Sequence, residues 1–296
     1  MKERLKIFKA FWKTWAESDK IHTEGRSFGM NKKFERHLKN SNLSENTVKA
    51  YTAAVRGYFE RFGTVTKENL SRYRLWLLES YKVQTVNLKL RGMNCYLEFI
   101  SKPGYKLPLA KRQQKTYIEN VISEAEYEYF KSCLKKDNDM LWYFVIRFMA
   151  ATGARVSELI QIKAEDIAAG YIDLWAKGQK LRRIYIPKPL CRDASEYLSS
   201  IGLKSGFMFL NRFGKRLTTR GIAAQLKTLA NKYSINEAVV YTHSFRHRFA
   251  KSFLCRSGDI ALLADLMGHE SIETTRIYLR KTSLEQKSII DATINW

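Results

Sequence analysis

The chain lacks the cysteine pairs that would staple or metallate it. Its four cysteines, Cys95, Cys133, Cys191 and Cys255, stand far apart and form no CxxC. That spacing argues against a disulfide framework or a thiolate zinc site, and isolated reduced thiols fit a cytoplasmic protein. No apolar run approaches the ~18 residues of a membrane span. The basic start, Met1 to Lys13, is not followed by the continuous apolar stretch of a signal peptide. Internal repeats and low-complexity tracts are missing as well. Acidic residues are scarce, with 29 Asp and Glu against 52 Lys and Arg and a formal net charge of +23. An excess of that size attracts a polyanion, with binding that weakens as salt rises. A soluble basic protein without such a partner is the plainer alternative.

What is present suffices for two folded units. Of the 296 residues 45% are hydrophobic and 13% aromatic, and a chain of this length suggests two domains. An amphipathic stretch, Leu5 to Trp15, carries Phe8, Phe11, Trp12 and Trp15 at helical spacing, and a glycine-containing loop is expected near Gly25 and Gly29. Three helices follow, at about Ser44–Phe62, Lys67–Tyr81 and Thr85–Ile100, each with one apolar stripe. The expected layout is an extension over 1–30, a helical domain over 31–102, a linker over 103–117 and a second domain over 118–296. Met1–Arg112 holds 24 basic and 10 acidic residues, so the smaller part is the more basic. The linker carries Pro103, Gly104 and Pro108 with Lys111, Arg112 and Lys115.

In the second part the patterns predict helices at Ser123–Leu134, Asp139–Ala150 and Val156–Ile162. A hairpin follows, Tyr171–Trp175 and Leu181–Ile186, stopped by Pro187. Helices return at Thr219–Tyr233, Ser244–Arg256, Ile260–Met267 and Ile272–Arg280. The expected fold is mainly α with a small β-sheet.

Four places offer phosphate chemistry. Arg155 follows the helix break Thr152-Gly153, and its guanidinium fork matches two phosphate oxygens; alone, it reads as a surface arginine at a turn. His243 and Arg246 lie three apart on one helical face; alone, they read as part of a basic helix. Met267-Gly268-His269 reads as a helix stop and loop, with Ser271 capping the next helix. Tyr278 lies on that helix and is one of 16 tyrosines, so only its position distinguishes it. Lys177 and Lys180 share the hairpin turn.

The order of these pieces is Arg155-Val-Ser-Glu-Leu159, the Lys177-Gly178 turn, His243-Ser-Phe-Arg246-His247, then Gly268-His269 with Thr274-Thr275 and Tyr278. It resembles the tyrosine recombinase (phage-type integrase) family, particularly Xer-like and Gram-positive mobile-element integrases. The match covers about Ile118 to Trp296, and the helical domain before it resembles the family's core-binding domain by pattern alone. The resemblance implies an α-rich catalytic domain with a C-terminal tail helix that docks on a neighbouring subunit. It implies a site-specific recombinase that integrates or excises a mobile element through a 3′-phosphotyrosyl intermediate at Tyr278. Arg155 and Arg246 would neutralise the scissile phosphate, and Lys177 would protonate the leaving 5′ oxygen. His243 would move the Tyr278 proton, and His269 would hydrogen-bond the phosphate. The implied partners are double-stranded DNA recombination sites, a homotetramer on paired sites and an accessory directionality factor, with no cofactor, metal or ATP. Phe245 stands where Leu is frequent, and Arg248, in place of a frequent Thr, is expected to add charge near the site. A type IB topoisomerase-like enzyme and a non-catalytic DNA-binding regulator are the competing readings.

Elementary chemistry is consistent with these roles. A tyrosine ionises near pH ~10, so phenolate at pH 7 costs about 4 kcal/mol, which cations and a proton acceptor must offset. The candidate set contains no carboxylate cluster, which disfavours a two-metal nuclease.

Overall fold

A computed structural model describes residues 24–111, 120–175, 181–269, 271–279, 287 and 290–294. The chain divides into two compact units, Met1–Gln114 and Lys115–Trp296.

The first unit is built from α1 (Glu24–Asn40), α2 (Glu45–Phe62), α3 (Lys67–Ser80) and α4 (Val83–Phe99). Ser44 starts α2 as expected, its hydroxyl accepting the Thr47 N–H at 3.2 Å, and Thr66 caps α3 through the Asn69 N–H. The apolar stripes turn inward. Val48, Val55, Tyr58 and Phe62 meet Leu70, Tyr73 and Leu77 and then Val86, Leu90, Met93 and Leu97. The Tyr58 and Tyr73 rings meet edge to face at 5.1 Å. The stretch around Gly25 and Gly29, expected as a loop, is helical. Two helical glycines cost about 1 kcal/mol each, and α1 offsets this by burying Phe34 and Leu38, one turn apart, in the core. Leu5 to Trp15 lies outside the described residues.

Part of the expected linker is ordered against this unit. Asn94 donates to the Leu107 carbonyl at 2.9 Å and accepts its N–H at 2.8 Å. Asn87, two turns earlier on α4, does the same for Ala110. Leu107 is buried as a result.

The second unit contains α5 (Glu124–Lys136), α6 (Met140–Thr152), α7 (Val156–Leu159), α8 (Ala164–Ala169), β1 (Tyr171–Trp175), β2 (Leu181–Tyr185) and α9 (Lys188–Ser200). These are followed by α10 (Thr219–Lys232), α11 (Thr242–Ser257), α12 (Ile260–Met267), α13 (Ile272–Thr275) and a 3₁₀ turn, Arg276–Leu279. The fold is therefore mainly α with one two-stranded sheet. Helix α6 is its centre: Phe144, Val145, Ile146, Phe148 and Met149 are all buried, and Phe148 meets Phe209 at 5.6 Å. An apolar surface on nearly every side suits a helix surrounded by others.

The hairpin is antiparallel, with Tyr171 opposite Tyr185 and Trp175 opposite Leu181. Arg182 and Ile184 share its buried face. The turn carrying Lys177 and Lys180 lies outside the described residues.

In this second unit two helices among the described residues have no counterpart in the sequence patterns, α8 and α9. Helix α9 buries Leu190, Ala194 and Leu198 at four-residue spacing. Pro187, read only as a strand stop, is also the helix N-cap, and Pro189 sits in the first turn, where a missing N–H costs nothing. The segment expected as one helix over Ile272–Arg280 is instead a single α turn followed by the 3₁₀ turn. The helix expected over Val156–Ile162 stops at Leu159.

Candidate active site

The site begins where α6 stops. Gly153 caps it at φ 62°, and a Cβ there would lie 2.4 Å from the Phe249 ring. Glycine is thus required both by conformation and by the close passage of α11. Gly153→Ala should lower the unfolding free energy by about 1–3 kcal/mol from backbone strain alone, with the Phe249 ring displaced in addition. Urea unfolding checks this, and an unchanged midpoint would contradict it.

The turn delivers Arg155 to the first residue before α7. That helix is one turn long, so it supplies no developed dipole for an anion, and the Arg155 guanidinium is held by one carboxylate and one backbone carbonyl. Its Nη1 donates to Glu158 Oε1 at 2.8 Å, and its Nη2 donates to the Gly268 carbonyl at 3.1 Å. The Glu158 carboxylate also accepts the Arg155 backbone N–H at 2.7 Å.

Arg246 rises from α11 into the interior, its side chain only 4% exposed. Nη1 donates to the Gly153 carbonyl and Nη2 to the Met267 carbonyl, both at 2.5 Å. One guanidinium thus ties the end of α6 to the end of α12. Burial, together with the Arg155 and Arg182 cations, draws its pKa down to about 10, which still leaves it charged at neutral pH.

Gly268 ends α12 at φ 60° and turns the chain toward His269. Nε2 of His269 stands 3.3 Å from Arg246 Nη2. An arginine can only donate, so Nε2 is the acceptor and Nδ1 carries the proton, donating to the buried Thr275 hydroxyl at 2.7 Å. Burial, Arg246 and Arg155 pull the imidazole down to about 4, so it is neutral.

Tyr278 lies on the 3₁₀ turn, 7% exposed, against Ala250, Leu263 and Met267. Burial pushes its phenol up to about 12, with Arg246 and Arg155 pulling the other way and Tyr241 adding to the rise. Its hydroxyl meets Nδ1 of His247 at 2.9 Å. His243, one turn earlier on α11, is exposed, and partial desolvation with the Arg246 and Arg155 cations holds it below the ordinary histidine value.

Five of the six residues singled out from the sequence therefore converge: Arg155, His243, Arg246, His269 and Tyr278. The sixth, Lys177, lies outside the described residues. Three further residues belong to the cluster. Glu158 bridges Arg155 and Arg182. Burial raises its carboxyl, but Arg182 and the bonds from Arg155 outweigh that and leave it below the ordinary value. Arg182 crosses from β2 to the Leu266 carbonyl at 2.9 Å. The third is His247. Sequence spacing hints at each without deciding its contacts: Glu158 lies one turn from Arg155, Arg182 shares a strand face with the apolar Ile184, and His247 lies one turn from His243. Arg248, by contrast, does not add free charge to the site. Its guanidinium pairs with Glu124 at 2.6 Å and stacks over Tyr127 at 4.3 Å.

The arginines, imidazoles and phenol gathered here are the residue types that the motif order implied. The model of the phage integrase family matches residues 111–285. The chain belongs to that family, the tyrosine recombinases. The Xer-like character seen in the motifs recurs among its relatives. Tyrosine recombinase XerA of Pyrococcus furiosus is 28% identical over 267 residues, spanning 87% of this chain and 91% of the relative. TnP I resolvase of Bacillus thuringiensis is 26% identical over 282 residues, 87% of this chain and 97% of the relative. Among solved structures, the Tn1549 transposon integrase in complex with transposon right end DNA superposes with a TM-score of 0.68 at 15% identity. The match covers 89% of this chain and 99% of that one, and this tyrosine recombinase shares its fold. No helix among the described residues is long and apolar enough to cross a membrane.

Proposed function

We propose that this tyrosine recombinase is a cytoplasmic, site-specific enzyme that integrates or excises a mobile element by cutting and rejoining duplex DNA through Tyr278. The observation that carries the reading is the phenol of Tyr278 held in one cluster with Arg155 and a buried, doubly anchored Arg246. The +23 charge suits a DNA partner, and the relatives named as recombinase, resolvase and transposon integrase support the substrate class.

In this reading the scissile phosphate lies between Arg155 and Arg246, whose fixed charges are worth most where negative charge develops. His269, beside Arg246, would donate to the phosphate through Nε2 once the bound anion lifts its pKa and that nitrogen takes up a proton. A phenol raised to about 12 costs about 7 kcal/mol to ionise at pH 7. A preformed phenolate is therefore a poor nucleophile to wait for, and the proton leaves as the phosphorus–oxygen bond forms. Tyr278 attacks, the 5′ oxygen departs with a proton from Lys177, and a 3′-phosphotyrosyl bond remains. That bond keeps the free energy of the phosphodiester, so rejoining requires no ATP. Paired sites call for a homotetramer, with an accessory directionality factor setting integration against excision.

The test is a nicked duplex carrying the element's end, incubated with the full chain and denatured. A covalent protein–DNA band, with 3′-phosphate attachment after proteolysis, is expected. Sequence-specific binding without any covalent band would point to a regulator. Relaxation of supercoiled plasmid by the monomer, with no joining of two sites, would point to a topoisomerase-like enzyme.

A further inference from the structure

Resting on the reading of Tyr278 as nucleophile, we propose that His247, rather than His243, takes the phenolic proton during attack and returns it during rejoining. The geometry is specific to this residue. His247 Nδ1 lies 2.9 Å from the Tyr278 oxygen, and the two rings sit 5.6 Å apart. Among the described residues no hydrogen bond joins His243 to Tyr278. The His243 ring instead lies 6.3 Å from that of His247 along the same helix face.

The groups facing His247 are His243 and Arg246 on its own helix and Tyr278 on the 3₁₀ turn. Burial, His243 and Arg246 draw its imidazole down to about 4, so at neutral pH it has a lone pair to offer. In the DNA-free protein this ring is a weak base beside a reluctant acid. Two changes close the gap when DNA binds. The phosphodiester charge offsets the arginines and lifts the imidazole, and the phenol turns strongly acidic as its oxygen bonds to phosphorus.

The step balances. A bond forms between the Tyr278 oxygen and phosphorus, and the bond from phosphorus to the 5′ oxygen breaks. The 5′ oxygen leaves with the electron pair and is protonated by the acid on its own side, Lys177 in the reading above. The phenolic proton moves to His247 Nδ1, making an imidazolium. In rejoining, the 5′ hydroxyl attacks phosphorus and the departing tyrosine oxygen recovers that proton. In-line displacement puts the entering and leaving oxygens on opposite sides of phosphorus. A base touching Tyr278 therefore serves that oxygen alone, and the two proton transfers need two residues.

His247→Asn separates holding from proton transfer, because the Asn oxygen can accept a hydrogen bond near the Nδ1 position but cannot take up a proton. The probe is a duplex selected from a random-sequence pool by binding to full-length Tyr278→Phe protein and rebuilt with a nick. The expected result is covalent adduct formation slowed by about 100-fold or more in His247→Asn, with binding unchanged. Free imidazole should restore part of the rate in His247→Ala. Adduct formation by His247→Asn at the wild-type rate, with His243→Asn the slow variant, would overturn the assignment. The wild-type chain offers a measurement that depends on neither variant folding nor DNA. The ¹⁵N shift of His247 Nδ1 should be that of an unprotonated acceptor. A protonated Nδ1 at neutral pH would overturn the proposal. Failure of the underlying reading is distinct: the wild-type chain would form no adduct, or Tyr278→Phe would keep one.

Discussion

Tyr278→Phe should abolish the covalent DNA adduct and strand exchange while leaving DNA binding and folding nearly intact. The substitution deletes one oxygen from a ring that is 7% exposed and packed against Ala250, Leu263 and Met267. That apolar seat accepts phenylalanine without a cavity. The loss to the protein is one hydrogen bond to His247, so stability should change by about 1 kcal/mol or less. Chemistry has no such reserve. Without the phenol oxygen no bond to phosphorus can form, and the expected adduct yield is nil at any enzyme concentration. Denaturing electrophoresis of nicked DNA reads the adduct, a mobility shift reads binding, and urea unfolding reads the fold. An adduct that persisted in this variant would move the nucleophile elsewhere, with Tyr241 the first place to look.

How much of this arrangement was readable in the chain depends on what each residue's position rests upon. Local signals served well. Ser44 caps its helix as expected, and the helices after it follow apolar stripes that repeat at three and four residues. The hairpin announced itself by β-branched and aromatic residues around a Lys-Gly turn. Arg155 and Arg246 stand out as candidates because a Thr-Gly break and an HxxR spacing are local patterns. Tyr278 stands out as a candidate only through the order of motifs, since nothing around it distinguishes it from the other tyrosines. What escaped was tertiary. His247 meets Tyr278 because the 3₁₀ turn folds back on α11, bringing together residues 31 apart in sequence. Arg182 reaches Glu158 across 24 residues, and an arginine in a strand looks solvent-facing until the register puts it on the buried side with Ile184. The helix over Gly25 and Gly29 escaped for the opposite reason. Propensity argued against it locally, and the burial of Phe34 and Leu38 in a core assembled from later helices overrode that.

The same tertiary logic shapes the second large effect, expected at Arg246. Arg246→Ala should reduce the rate of adduct formation by about 10³-fold or more, since arginine donors at a transferring phosphoryl group act where charge develops. The alanine variant also strands the Gly153 and Met267 carbonyls, which now accept from the two guanidinium nitrogens. Each buried acceptor left unsatisfied costs about 1–3 kcal/mol, so a loss of activity by alanine mixes chemistry with a loosened framework. Arg246→Lys separates the two. Lysine keeps the positive charge, but its single ammonium cannot span both carbonyls and present a planar fork to phosphate as well. The lysine variant should remain folded, with a modestly lowered urea midpoint, and bind DNA at close to wild-type affinity. Its adduct formation should still be slowed by about 100-fold or more. Arg155 offers the contrast, because its side chain is 38% exposed and its removal strands less of the interior. Arg155→Ala should therefore lose cleavage with a smaller loss of stability than Arg246→Ala. Rates come from single-turnover adduct formation and stabilities from urea unfolding of the same preparations. If Arg246→Lys cleaved at the wild-type rate, the guanidinium fork would have no role at the phosphate. Arg246 would then be a strut joining the ends of α6 and α12, leaving the charge at the reacting centre to Arg155 alone.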